Sequence, residues 1–451
     1  MMRSLYSGVA GLKTHQTRMD VIGNNIANVN TTAYKSQSMT FSDLMYQTTQ
    51  AASGANPTTG VGGINARQIG LGAKTSAIKT AITTQGASQT TNDPFDIMIT
   101  GDSFFIVNNG QNNYFTRDGS FYVDGAGNLA MTSTGYNVMG WKVDPNDASA
   151  IKQDTVSALR VMTTENMTYP PEATKSARIS GIIDKNDTNV NAAAGKIMNL
   201  EFYDNQGYKY TAKLSVHSTN DAGKFTVQLD DILDSKGKTV LADKTKASLQ
   251  QNNTNVTAPV LEFDQKNGSF KNVGTAGGKE STLTLHFDTG TFPSFTDITI
   301  DFSKCSNLNN NGSSTVSPIR GDAKGNGAGR KVGEMSGIEI QKDGMIYANY
   351  DNGCSRLLGQ IAVATFANAS GLAKEGDNLY SATQNSGDFD GIGTDITTGG
   401  GYMNTGVLEM SNVDLSSEFT EMITTQRGFQ ANSRIITVSD TLLEELTNLK
   451  R

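Results

Sequence analysis

Apolar residues at the two ends of the chain repeat on a helical period. Leu5, Leu12, Met19 and Ile26 recur every seven positions, with Val9 four after Leu5, Ile22 three after Met19 and Val29 three after Ile26. Near the other end, Leu415, Met422, Phe429, Ile436 and Leu443 also recur every seven. Phe419 follows Leu415 by four, and Leu446 and Leu449 extend the stripe. A sustained seven-residue apolar row predicts a helix with one narrow seam, the pattern of a coiled coil. Gln16, Gln426 and Ser433 stand where a second seam residue belongs, and polar seam positions fix register at a cost in stability. Ser411 to Asp414 offers a cap with an acidic start. Lys450 and Arg451 suit the negative end of the helix dipole. Gly8, Gly11 and Gly23 each cost about 1 kcal/mol relative to Ala, so the N-terminal helix needs a partner to form. One reading packs these helices on their own globular body. The sharper one pairs the ends with each other and with neighbouring copies, and makes the intervening chain a nested excursion.

The pattern changes inward. Residues 36–92 are rich in Ser, Thr, Gln, Gly and Ala, and Asn56-Pro57 and Gly62-Gly63 mark a loop. Gly387 to Gly401 has a similar composition. Both read as linkers, 36–92 and 386–405, joining helical ends at 1–35 and 406–451 to a β-rich body. There Phe95, Ile97 and Ile99 alternate with polar or flexible residues, as do Met198, Leu200 and Phe202, then Tyr208 to Val216. Leu283, Leu285 and Phe287, Ile298, Ile300 and Phe302, and Ile338 and Ile340 repeat the pattern, with Asp118-Gly119 and Asp343-Gly344 as turns. Short period-two segments predict antiparallel strands. Tyr169-Pro170-Pro171 and the glycine-rich stretch Gly321 to Gly333 mark boundaries. The expected division is a middle β domain at 93–164 with 333–385, and an outer β domain at 165–332. The expected fold class is multidomain α+β, with discontinuous N- and C-terminal coiled-coil helices around nested, mainly antiparallel β domains.

Composition narrows the function. Net charge is −7 with no basic excess, which argues against nucleic-acid binding through phosphates. The longest apolar runs, Phe104 to Val107 and Ile361 to Phe366, are far too short to span a membrane. The N-terminus lacks the apolar stretch of a Sec signal peptide. Charged residues make up only 18%, as suits a surface that meets other protein. The three histidines, His15, His217 and His286, form no HxxxH or HxH pair, so no metal site is expected. No P-loop, GxSxG or dinucleotide fingerprint occurs, and no cofactor or enzymatic activity is expected. Asp124–Gly127, Asp204–Gly207 and Asp234–Gly237 read as turns, since Asp caps and Gly supplies positive φ. Cys305 and Cys354 read as free structural thiols.

Four stretches resemble one family. The segment Asn24-Asn25-Ile26-Ala27-Asn28-Val29-Asn30-Thr31-Thr32-Ala33-Tyr34-Lys35 resembles the N-terminal signature of bacterial flagellar rod and hook proteins. Phe115-Thr116-Arg117-Asp118-Gly119-Ser120-Phe121 is similar to the motif of their shared β domain. Gly359 to Asn378, and Gly406 to Asn432 with Asn412 and Asp414, match in the same order. Ala33 stands where the signature often has Gly, which is costly if the site needs positive φ. Ala130 stands where the β motif often has Val. Within the family, the length and the β insertion resemble hook members.

The resemblance implies a structural subunit that self-assembles into a flexible curved tube, a universal joint passing motor torque from rod to filament. It implies a helical homopolymer with terminal helices on the inner wall and β domains stacked outward. It also implies rod, hook-cap and hook–filament junction proteins as partners, and no membrane insertion. Export would run through the flagellar type III apparatus to an extracellular location, without a Sec signal. A distal rod subunit is the alternative. A secreted β-rich adhesin is weaker, because it would need an exposed aromatic platform and the chain has a single tryptophan, Trp141.

Overall fold

The computed structural model describes residues 2–54, 60, 62–241, 244–275 and 278–449. The chain is mostly β, with a long helix at each end. It forms two compact units. The first comprises Met1–Thr163, Ile338–Ala348 and Arg356–Arg451; the second comprises Thr164–Gly337 and Asn349–Ser355.

In the first unit, helix α1 spans Met2–Ala27 and helix α2 spans Leu415–Asn448. Asp414 caps α2 by accepting a hydrogen bond from Ser416 N at 3.0 Å, and Glu418 lies in its first turn, both favourable at a positive helix end. The basic pair expected at its far end, Lys450 and Arg451, lies outside the described residues, as does Asn56-Pro57.

The central strand of the first unit, Phe104–Asn108, is hydrophobic without alternation because both of its faces are covered. Phe105 and Val107 join a core with Ile97, Ile99, Phe121, Leu129, Val138 and Ile361. Phe104 and Ile106 join another with Phe115, Trp141, Leu372 and Tyr380. Strands Asn113–Thr116 and Asn137–Asp144 flank it, and the ladder is antiparallel. Strand Ile97–Ile99 is likewise buried throughout, so the alternation expected there is absent. Trp141 is buried and donates Nε1–H to Ile392 O at 2.9 Å.

The stretch 36–92, expected as a linker, folds into strands. Gln37–Asp43 pairs with Ala73–Thr80, and Tyr46–Gln50 with Arg67–Gly70. Ser88–Thr90 pairs with Val407–Glu409. The stretch 386–405 also packs: Ile396 and Met403 are core residues, and Met403–Thr405 pairs with Ile97–Ile99.

The second unit holds a five-stranded and a six-stranded sheet. Strict period-two burial holds in Lys196–Tyr203 and Thr282–Phe287. Their inward residues share one core, where Phe287 and Phe295 each contact the rings of Phe202 and Phe292 and also each other. Within this unit Ser176–Ile182 runs parallel to Ile298–Ser306. Cys305 is buried here, its Sγ–H donating to Ile179 O at 3.4 Å. Burial pushes its thiol up to about 12.

One turn design recurs in both units. At Asp124, Asp204, Asp234 and Asp322, the carbonyl accepts from the glycine N–H three residues on, at 3.0–3.1 Å. The carboxylate accepts from the backbone N–H groups two and four residues on. Each glycine has positive φ, the conformation a missing Cβ permits.

Candidate functional site

The two helices pack against each other antiparallel. Ser4 Oγ lies 3.4 Å from Ser439 Oγ, Arg18 pairs with Glu421 at 2.9 Å, and Asn25 donates to Glu418 at 2.8 Å. Glycines allow the close approach. A Cβ on Gly8 would lie 3.2 Å from Ile436, and one on Gly11 would lie 2.6 Å from the Asn432 amide. A Cβ on Gly428 would lie 2.7 Å from the His15 ring. So Gly8 and Gly11, two of the three glycines that weaken α1 as an isolated helix, admit its partner, whereas Gly23 faces open space.

Within the single chain the helix contact takes up only part of the expected apolar rows. Leu5, Leu12, Met19 and Ile26 are half-buried, and so are Met422, Phe429, Ile436 and Leu443. Leu415 and Phe419, however, are exposed at the start of α2, and Val9 is exposed on α1. Val29 lies beyond the end of α1. Gln426 is exposed and does not act as the second seam residue. That row is Glu418, Thr425, Asn432 and Ser439, also spaced by seven, with Thr425 and Ser439 buried. Small and polar side chains fill it because the helices come too close for Leu. A search for apolar sevens passes over this row; a search for small or polar sevens finds it.

On α2, Ile435, Val438, Leu442 and Leu446, with Leu449 just past its end, form a further row, exposed at 44%, 57%, 45%, 49% and 83%. Met2 and Tyr6 are exposed on α1.

The signature residues gather where α1 enters the β body. Asn24 Nδ2 donates to Tyr34 Oη at 3.2 Å, and Tyr34 Oη donates to Asn25 Oδ1 at 3.2 Å. Asn25 Nδ2 donates to Gln37 O at 2.8 Å, while Gln37 N donates back to Oδ1 at 2.9 Å. Asn28 Nδ2 donates to Asn24 O at 2.9 Å and closes the end of α1. Asn378 Nδ2 donates to Thr32 O at 2.9 Å. Ala33 has φ 54°, so the position does adopt the left-handed conformation, and its N–H donates to Glu409 O at 2.7 Å. Asn412 ties three segments: Oδ1 accepts from Ser36 N at 2.8 Å, and Nδ2 donates to Ala81 O and Thr84 O at 2.9 and 3.0 Å.

Below this lies a fully buried charge cluster. Lys35 Nζ contacts Glu409 Oε1 and Thr84 O, both at 2.7 Å. Glu409 Oε1 also accepts from Gly86 N at 2.9 Å. Arg117 lies on the other side, its Nη1 3.9 Å from Glu409 Oε2, and it donates to Ile99 O and Gly101 O. Burial pulls Lys35 below its usual range and Glu409 opposes that; Arg117 responds in the same way. Lys374 donates to Lys35 O at 3.2 Å and sits 4.8 Å from the Tyr34 ring centroid. Phe115 packs on Phe366 at 4.7 Å. Gly119 is obligatory, since a Cβ would lie 1.7 Å from Ile97 O. Glu409, Glu418, Thr84 and Lys374 are absent from the expected site because nothing local in the sequence ties them to residues hundreds of positions away.

Three family models match the chain. The flagella basal body rod protein family covers residues 5–35, the D1 domain of the flagellar hook protein FlgE/F/G covers 98–180, and the C-terminal region of the flagellar basal body rod FlgEFG proteins covers 404–449. The chain is 36% identical to the flagellar hook protein FlgE of Borreliella burgdorferi and 35% identical to that of Treponema pallidum, each over 100% of both chains. It is 29% identical to the flagellar basal-body rod protein FlgG of Bacillus subtilis, also over 100% of both. With signature residues, matched regions and full-length relatives agreeing, the chain belongs to the flagellar hook protein family.

Proposed function

We propose that the chain is a self-assembling subunit of the flagellar hook, polymerising with copies of itself into a flexible, curved tube that carries motor torque from rod to filament. The observation that carries this reading is the outward apolar row of α2. One face of that helix is already filled by α1. Beside it lie Ile435, at the edge of the α1 contact, and Val438, Leu442, Leu446 and Leu449, an apolar stripe that needs a second partner. In the polymer that partner is a helix of a neighbouring copy, in coiled-coil contact. The rod, cap and junction proteins would meet the ends of such a tube, and the flagellar type III apparatus would deliver the chain.

Val438→Asp with Leu442→Asp tests the reading. Both side chains are exposed in the single chain, so its circular dichroism should stay unchanged, while electron microscopy at high concentration should show no tubes. Tubes of normal length from this variant would remove the basis of the reading. The second reading, a distal rod subunit, draws on the identity with FlgG. It predicts straight tubes where the hook reading predicts curved ones.

A further inference from the structure

The chain holds five Asn–Gly steps: Asn109–Gly110, Asn267–Gly268, Asn311–Gly312, Asn326–Gly327 and Asn352–Gly353. At such a step the glycine nitrogen, after losing its proton, can attack the side-chain carbonyl carbon of the asparagine. A C–N bond closes a succinimide ring and ammonia leaves. Water then adds at either imide carbonyl and opens the ring to aspartate or isoaspartate. The reaction consumes only water.

The fold treats the five steps unequally. Gly110 N–H donates to Asn108 Oδ1 at 2.5 Å, and Gly268 N–H to Asp264 O at 2.7 Å. Gly312 N–H donates to Asp184 Oδ2 at 2.9 Å, and Gly353 N–H to Tyr350 O at 3.0 Å. A nitrogen whose proton is held by an acceptor must break that bond before it can attack. Gly327 N–H alone of the five has no hydrogen-bond partner among the described residues. Asn326 is exposed, and its Nδ2 donates to Asp322 Oδ2 at 3.2 Å.

We propose that Asn326 is a site of spontaneous conversion to aspartate and isoaspartate, selected by the fold from five chemically equivalent steps. The product sets a second carboxylate beside Asp322, in place of an amide that donates to it. Isoaspartate also inserts a methylene into the backbone before Gly327. The carbonyl of Gly327 accepts from Lys175 N and Ser176 N at 2.9 and 3.0 Å, at the head of strand Ser176–Ile182. Conversion therefore loosens the start of that strand in the second unit.

The test is to hold the full-length folded protein in mildly alkaline buffer and quantify all five steps by peptide mass spectrometry, then repeat in concentrated urea. In the folded protein Asn326 should convert about tenfold faster than each of the other four, the factor that opening one hydrogen bond accounts for. In urea the five rates should converge. Equal rates in the folded protein, or the same ranking in urea, would overturn the proposal. Asn326→Gln, which cannot close the five-membered ring, should remove most isoaspartate from the folded chain; undiminished isoaspartate there would also overturn it.

Discussion

The side-chain amide of Asn25 pairs with the backbone of Gln37 as a neighbouring strand residue would, donating to its carbonyl and accepting from its N–H at 2.8 and 2.9 Å. The last turn of α1 thus serves as the first rung of the strand Gln37–Asp43. A third bond from the same amide reaches Glu418 of α2, so one residue ties both helices to the strand.

Asn25→Ala should destabilise the first unit by about 2 kcal/mol, because it strands the part-buried N–H and carbonyl of Gln37. Urea titration of the unassembled chain measures this. A change under about 0.5 kcal/mol would mean that water replaces the amide without loss.

Ala33→Gly should stabilise. At φ 54° a Cβ costs roughly 1–2 kcal/mol, and the extra freedom of Gly when unfolded returns about 0.4–1 kcal/mol of that. A net gain between zero and about 1.6 kcal/mol is expected. A loss in the same titration would show that the Ala33 methyl makes compensating contacts.

Lys35 and Glu409 should behave as a unit. Lys35→Met leaves a buried carboxylate held only by the Gly86 N–H and a long contact to Arg117, and costs about 3–5 kcal/mol. Glu409→Met leaves two buried cations and costs at least as much. Together they should cost less than the sum, with a coupling of about 1–3 kcal/mol. Additive effects would mean that the pair contributes only separate contacts.

Gly119→Ala should unfold the first unit, at more than about 3 kcal/mol, because the new methyl meets Ile97 O. The second unit has its own core, and its transition should be unchanged. Loss of both together would show that the second unit cannot fold alone.

Acid should release the Asn-rich segment at 307–314. The Asp184 carboxyl is held below its usual range by the backbone N–H of Asn186, then those of Asn310 and Gly312. A depressed folded pKa adds stability that is fully present above the unfolded value, near 4. That stability is lost as pH falls through the folded value. The amide resonances of Asn310 and Gly312 should therefore titrate below the ordinary carboxylate range, and Asp184→Asn should abolish the step. Resonances that titrate near 4 would show that the two donors do not favour the charged carboxylate.

The legible parts of the sequence were those where side-chain type and spacing carry the physics. Met198, Leu200 and Phe202 announce a strand with one buried face, and Asp204 and Gly207 announce its turn. The strands within 36–92 were illegible because most of their residues are exposed on both faces, so no alternation marks them. The helix contact was half-legible. Met422, Phe429, Ile436 and Leu443 stand in the apolar row, but Thr425 and Ser439 are chosen for size, and only the distance between the helices explains them. Lys35 was visible as a signature residue, whereas its partner Glu409 lies 374 positions away.

The meeting of Ser4 with Ser439 has a consequence in time. They are 435 residues apart, so the contact closes almost the whole chain into one loop, and such closure follows faster, more local pairing. The hairpins of both units can form from neighbouring sequence. The helix pair cannot form until the last forty residues are present, and α1, weakened by its glycines, does not hold its shape before then. A chain delivered end first would carry an unstructured leading segment for the whole of its passage, and would become competent to join its neighbours only as its tail emerged.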